Sequence, residues 1–395
     1  MSAILKGVTR SVSSLNAVRT FAAAAEPLKT PLYNLHLDLK GKIVEFAGYS
    51  LPVQYPTGVL KEHLIVRGDN SAGVFDVSHM GQLKWTGKDA VEFLEHVVVG
   101  DIHSLKPGCG RLSLICNPQG NILDDTVITN AGDYIYQVVN GATKFDDMKH
   151  FQNEMGKFRS LGKEVKMEYM GDLGLIALQG HIAPQVLKKY TEYDVTKMPF
   201  MTGVDIKVAG VPCRVTRCGY TGEDGYEISM PNKESVELTK TILSNPGVSP
   251  CGLGARDSLR LEAGLCLYGV DMNDTISPVE ASLMWTISKQ RRAEGTFIGH
   301  DAIMAKTKTW EKKRVGFLID GAIARHETPI FNGQEKIGYI TSGTKSPLTG
   351  KYISMGYINK GFEKEGTKVE VEVRGKRKTA TVTKMPFHPA NYYRG

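Results

Sequence analysis

Six cysteines in 395 residues, none in a CxxC pair or at zinc-type spacing, exclude a thiol-ligated metal centre or a disulfide scaffold as the organising principle. No apolar run past the N-terminus is long enough to span a bilayer. There is no Walker loop, no HExxH and no GxSxG, and "CGLGARD" lacks the third glycine of a dinucleotide fingerprint. Acidic residues are missing from the first 25 positions, where Lys6, Arg10 and Arg19 stand among Ser11, Ser13 and Ser14. That composition is a transit peptide's, expected over 1–27. Net charge is +7, of which the leader carries three, so the remainder is too weakly basic to argue for nucleic acid.

What is present, 41% hydrophobic and 23% charged residues, suits a globular chain of two or three domains. Between about 30 and 290, helical spacing ("GKDAVEFLEHVVV", "NKESVELTKTILSN") mixes with strand text ("DYIYQVV", "LGLIALQG"). There is no regular βαβ alternation, which predicts an α+β fold. After "TWEKKR", from about 313 to 388, strands and turns dominate and predict a separate all-β barrel or sandwich, with a type I′ hairpin at Asn332-Gly333. The basic strip "RGKRKTATVTK" reads as a solvated strand edge.

Three stretches offer chemistry. "RLSLIC-NPQG-NILDDTVIT" reads as a hairpin around a type I turn. Alternation puts Asp125 with Leu123 and Val127, and Asp124 with Ile122 and Thr126. Asp125 is then the more costly carboxylate, which needs a partner, a raised pKa or a cleft; Asp124 suits an edge strand that deters aggregation. In "CGYTGEDGYEISM" three glycines let backbone approach a ligand, and Glu227 follows on a strand, able to accept a pair of parallel N–H donors or simply to face water. "GLGARDSLRLEAGLCLYG", 252–269, predicts a helix with Arg256 and Arg260 one turn apart. They could form a fork for a carboxylate or pair with Asp257 and Glu262. His63 and His79 are candidate bases or structural histidines.

Taken together and in order, "FDVSHM", "GNILDD", "GYTGEDGYEI", "ARDSLRLEAGLCLYG", "SPVEASLMWT" and "MPFHPANYY" resemble the T-protein (aminomethyltransferase) family of the glycine cleavage system, from about residue 30 to the C-terminus. The resemblance implies three domains in a cloverleaf around a folate channel, with a folate-binding region of two α+β domains over 28–300 and a β-barrel over 311–390. It also implies transfer of the one-carbon unit from the aminomethyl-lipoyl arm of H-protein to tetrahydrofolate, giving 5,10-methylenetetrahydrofolate, ammonia and dihydrolipoyl H-protein. Partners would be lipoylated H-protein and, through it, the P- and L-proteins, in the mitochondrial matrix, with no metal, nucleic acid or membrane. Asp125 matches the family's catalytic carboxylate and Glu227 its pterin-binding residue; Arg256, Tyr220, Trp285 and Tyr392 match others around the folate, with Met80 and Asn140 near the channel.

Three other readings compete with this one. A related folate-binding repair or iron–sulfur assembly protein would carry a "KGCYxGQE"-like motif where this chain has the cysteine-free "EGTFIGHDA". The folate half of a dimethylglycine or sarcosine dehydrogenase would need a flavin domain ahead of residue 30. A non-catalytic scaffold would make the Asp, Glu and Arg set incidental.

Overall fold

A computed structural model describes residues 26–395; the expected transit peptide lies almost wholly outside them. Alternation in the strand text resolves into two sheets laid side by side. A six-stranded sheet runs in the order Thr202–Val208, Val211–Arg217, Gly225–Pro231, Leu173–Gln179, Ala72–Asp76, Val248–Pro250. A five-stranded sheet runs Gly110–Cys116, Ile122–Asn130, Ile135–Val139, Gly81–Thr86, Lys166–Tyr169. The chain passes between them twice, through 77–80 and through 170–172, so His79 and Met80 sit where the sheets meet. A three-stranded sheet (Leu28–Lys29, Tyr49–Gln54, Lys42–Phe46) adds a flank.

Helices Ala90–Val97 and Lys144–Ser160 cover one face of the five-stranded sheet. There Trp85, Phe93 and Phe151 interlock, and the Trp85 indole N–H donates to Gln137 Oε1 at 2.8 Å. The second core, under the six-stranded sheet, gathers Leu178, Val215, Tyr226, Ile228 and Leu238.

The region after 312 closes into a six-stranded barrel, Lys312–Ile319, Tyr352–Asn359, Glu335–Lys345, Pro329–Asn332, Lys368–Val373, Lys376–Thr383. Closure removes sheet edges, so "RGKRKTATVTK" is not an edge but one side of a barrel hairpin, with the Arg377 guanidinium over the Phe331 ring. The Asn332-Gly333 expectation is corrected. The two turn residues are Gly333 and Gln334, and only Gly333 has positive φ (59°), the signature of a type II′ rather than a I′ turn. The type I′ pattern occurs at Arg374-Gly375, both at positive φ.

The helix expected over 252–269 is shorter, Leu253–Glu262, because Gly264 turns into the left-handed region at φ 68° and ends it. Beyond the barrel the tail runs back onto the first lobe. Phe387 and His388 amides donate to Glu262 O at 2.8 and 3.0 Å, and Asn391 donates to Gly222 O and Glu223 Oε2 at 2.8 and 2.9 Å.

Candidate functional site

The "NPQG" turn forms as expected, with Gly120 at φ 78° and its amide donating to Asn117 O at 2.9 Å. The strand that follows, Ile122–Asn130, is central rather than an edge, paired on both sides. Its even positions are buried: Ile122, Asp124 and Ile128 have no exposure, and Asp124 lies on the helix-covered face. Its odd positions, Leu123, Asp125 and Val127, are half-buried on the other face. Alternation separated the two carboxylates correctly, but the edge-strand reading of Asp124 is overturned. It is the more deeply buried of the pair.

The neighbouring strand ends at Val139, opposite Thr126, and Asn140 takes over where the ladder stops. Its backbone N–H donates to Asp124 Oδ2 at 2.9 Å, and its side-chain amide donates to Asp124 Oδ1 at 2.7 Å and Asp125 Oδ1 at 2.9 Å. One amide thus holds both carboxylates. Burial, reinforced by the negative charge of Asp124, pushes the Asp125 carboxyl up to about 7, against the lowering effect of Asn140. An acid that titrates near neutrality is matched to proton transfer.

Val127, two residues on from Asp125, lines a cavity together with Tyr136, Val138, Arg214, Thr216, Cys218 and Glu227. Glu227 is on Gly225–Pro231, fed by the glycine-rich turn as expected. A Cβ at Gly225 would meet Leu178 O at 2.3 Å, so the close approach demands glycine. Burial raises the Glu227 carboxyl; the Arg256 charge and the Cys218 thiol, which donates to it, pull it back.

Arg256 is half-buried, its guanidinium 4.8 Å from the centre of the Tyr220 ring, with the buried Nη1 lacking any partner. A fork with Arg260 does not form. Arg260 turns away into ion pairs with Asp257 (2.8 Å) and Asp271 and donates to Ser342 Oγ on the barrel at 2.9 Å.

Tyr220 spans the two ends of the site. Its hydroxyl donates to Cys266 O, and the charges acting on it include both Asp125 and Arg256. Tyr392 arrives on the C-terminal tail, stacked on Phe200 (centroids 4.0 Å, planes 8° apart) within reach of the Arg67 and Glu223 charges. Met80 packs beside Phe75 and Tyr136. Trp285 is 66% exposed on a short 3-10 turn, Met284–Thr286. The structure therefore draws together Asp125, Asn140, Tyr220, Glu227 and Arg256, with Tyr392 and Met80 at the margins.

Of the two histidines, His63 is structural, bonded to Ser258 Oγ and Glu262 Oε2 at 2.8 and 3.0 Å. His79 is buried under Phe46 and Tyr49, Nδ1 unpartnered, and burial pushes it down to about 4, so it is neutral at physiological pH. Sequence reasoning missed Asp147 and Lys144 on the first turn of Lys144–Ser160. Burial lowers the Lys144 ammonium to about 8, and it donates to Tyr49 Oη and His79 O at 2.7 and 2.9 Å. Neither residue carries a local signal, since each is brought in only by the packing of that helix.

The chain matches two family models, the GCVT N-terminal domain over residues 32–291 and the glycine cleavage T-protein C-terminal barrel domain over 312–388. It is 49% identical to the mitochondrial aminomethyltransferase of Dictyostelium discoideum, covering 95% of this chain and 96% of that protein. It is 47% identical to the Homo sapiens mitochondrial enzyme, covering 95% and 94%. The crystal structure of glycine cleavage system aminomethyltransferase T from Bartonella henselae superposes with a TM-score of 0.87 at 35% identity, covering 93% and 99%. The lobed α+β architecture, the closed barrel and these matches agree: the chain belongs to the aminomethyltransferases of the glycine cleavage system, the T-protein family.

Proposed function

We propose that this aminomethyltransferase moves the one-carbon unit of an aminomethyl-lipoyl H-protein to tetrahydrofolate, with Asp125 as the catalytic carboxylate and Glu227 as the pterin anchor. The observation that carries the reading is that Tyr220 lies within reach of the charges of both Asp125, its carboxyl pushed up to about 7, and Arg256, whose charge also acts on the half-buried Glu227.

In this reaction the methylene carbon exchanges its bonds to sulfur and nitrogen for two bonds to folate nitrogens. Ammonia and a thiol leave, and positive charge builds at the carbon as the folate nitrogens lose protons. Asp125, held through Asn140, orients the attacking nitrogen, stabilises that charge and accepts a proton. The flat amidine edge of a pterin, an exocyclic NH2 beside a ring N–H, offers the donor pair that Glu227 accepts, and the free Arg256 N–H meets an acceptor on the same ring. Tyr220, Tyr392 and Met80 supply walls, and Trp285 the outer rim. No step calls for a metal. The P- and L-proteins would be reached through H-protein. We assign residues 1–27 as the mitochondrial leader, the matrix as the destination, 28–300 as the folate-binding region and 311–390 as the barrel domain.

The test is tetrahydrofolate-dependent ammonia release from loaded H-protein. Asp125→Ala is expected to cut turnover by about a hundred to ten thousand fold with the fold intact; unchanged turnover sinks the assignment of Asp125. Glu227→Ala is expected to weaken folate binding by roughly ten- to a hundredfold when folate is titrated against tryptophan fluorescence. Equal affinity removes Glu227 from the pterin site.

A further inference from the structure

Asp124 and Asp125 are not the only carboxyls at the end of this strand. Asp147, on the first turn of Lys144–Ser160, is 3% exposed, and its carboxyl reaches the Asp124 carboxyl within hydrogen-bonding contact. Its Oδ2 has no other partner. The helix is aimed there by the same turn that Asp124 caps: Asn140 N–H donates to Asp124, Thr143 N–H to Asn140 O at 3.2 Å, and Asp147 N–H to Thr143 O at 2.9 Å.

The charged or titratable groups facing this cluster come from every surrounding element. They are Asp124 and Asp125 from the strand, Asp146 from the helix and Tyr268 from the segment after the arginine helix; the Thr143 hydroxyl bonds to both Asp124 and Asp147, and Lys144, on the same turn, donates instead to Tyr49 Oη and His79 O. Three carboxylates cannot all stay ionised in such a place, because each charge is unscreened and faces like charges at short range. A proton must be kept, and the contact between the Asp124 and Asp147 carboxyls, two groups that cannot hydrogen-bond when both are ionised, marks where it is kept. The titration belongs to the group as a whole.

We propose that Asp147 is a positioning residue for the transfer reaction, a permanently protonated acid that donates to Asp124 and keeps it anionic, so that Asp124 holds Asn140 against Asp125. The consequence is electrostatic. The fixed negative charge on Asp124 is one of the two causes that lift Asp125 toward neutrality; the second is burial. Burial and the neighbouring carboxylate push Asp147 itself up to about 10, consistent with a retained proton. This deepens the assignment of Asp125 and rests on it for its kinetic readout.

Without a donor at 147, Asp124 takes the proton itself, loses its charge, and Asp125 becomes a stronger acid. In Asp147→Ala the acid limb of the kcat/KM pH profile is expected to move down by about one unit, roughly tenfold in relative rate on that limb. In Asp147→Asn the amide N–H still donates to Asp124, and the limb is expected to stay at the wild-type position. A merely structural residue would lower Tm in both variants and move the limb in neither. An unmoved limb in Asp147→Ala, or an equal shift in both variants, overturns the proposal.

A second measurement needs neither turnover nor a folded Ala variant. The infrared difference spectrum of wild type minus Asp147→Asn, taken at about pH 8, well above the range of an ordinary carboxyl, is expected to contain the C=O stretch of a protonated carboxyl. Its absence overturns the proposal even if Asp125→Ala is inactive. Its presence with a fully active Asp125→Ala refutes the role of Asp125 while leaving the proton on Asp147.

Discussion

Two groups of buried carboxyls in this protein face the same cost and meet it in opposite ways. At the junction of the first lobe, the barrel and the tail, Glu262 accepts from His63 Nε2 and Arg67 Nε at 3.0 and 3.1 Å through one oxygen, and from Ser346 Oγ at 2.5 Å through the other. Although burial alone would raise it, these partners hold the carboxyl down to about 2. At the end of Ile122–Asn130, by contrast, Asp124 and Asp125 share one Asn140 amide, Asp124 and Asp147 share the Thr143 hydroxyl, and burial drives all three carboxyls upward. Saturated charge fastens elements together. Unsaturated charge stores acid–base capacity at the expense of stability.

The comparison is broken most severely by removing Glu262. Its loss leaves His63 Nε2 and Arg67 Nε, both on buried side chains, without their acceptor, and unlinks Ser346 of the barrel. Glu262→Ala is expected to cost about 3–5 kcal/mol, read by chemical denaturation. Because the folded pKa lies below the unfolded one, the carboxyl's contribution is present above about pH 4 and is lost as pH falls toward 2. Wild type should therefore lose stability in that window and the variant should not. A variant that unfolds at the wild-type denaturant midpoint would show that this junction is not a fastening.

Asp124 sharpens the boundary between the two clusters. On the sequence it suits an edge strand; in the structure it caps the Asn140 turn with two hydrogen bonds from Asn140 and has no exposure. Asp124→Ala leaves those donors unpaired and is expected to destabilise by about 2–3 kcal/mol, besides lowering turnover by releasing Asn140 from Asp125. Loss of turnover with unchanged stability would place it wholly on the catalytic side.

That reversal shows what could be read beforehand. The hairpin, its turn and the separation of the two faces are local properties of period two and turn chemistry, and they came through intact. Which face is the core is not local. It was judged from the apolar residues Leu123 and Val127 on the Asp125 side, whereas the helix carrying Met148 and Phe151 covers the other. The two arginines teach the same lesson. Their helical spacing was legible, but Asp271 and Ser342, which claim Arg260 and leave Arg256 free, arrive from later in the chain. Asp147 was invisible for the same reason, its significance arising only when Asp124 packs beneath its helix. The wider set of site residues came from the resemblance, and of these Trp285 is the one left exposed, on its short turn.

The smallest effect concerns Asp125 itself and runs against intuition. Its folded pKa of about 7 exceeds the value of about 4 expected in the unfolded chain. Between those values the folded state holds a proton that the unfolded state has released, so stability declines as pH rises through the window and stays lower above it. Asp125→Asn keeps the shape but cannot ionise. Its stability should be flat from pH about 4 to about 7 where that of wild type falls, and at about pH 8 its Tm should be a few degrees higher, although turnover is lost. Differential scanning calorimetry of both proteins across that range decides the point. A variant less stable than wild type at the upper end would mean that the Asn140 hydrogen bond outweighs the cost of the charge, and that Asp125 belongs with Glu262 as a fastening rather than with the strained, reactive group.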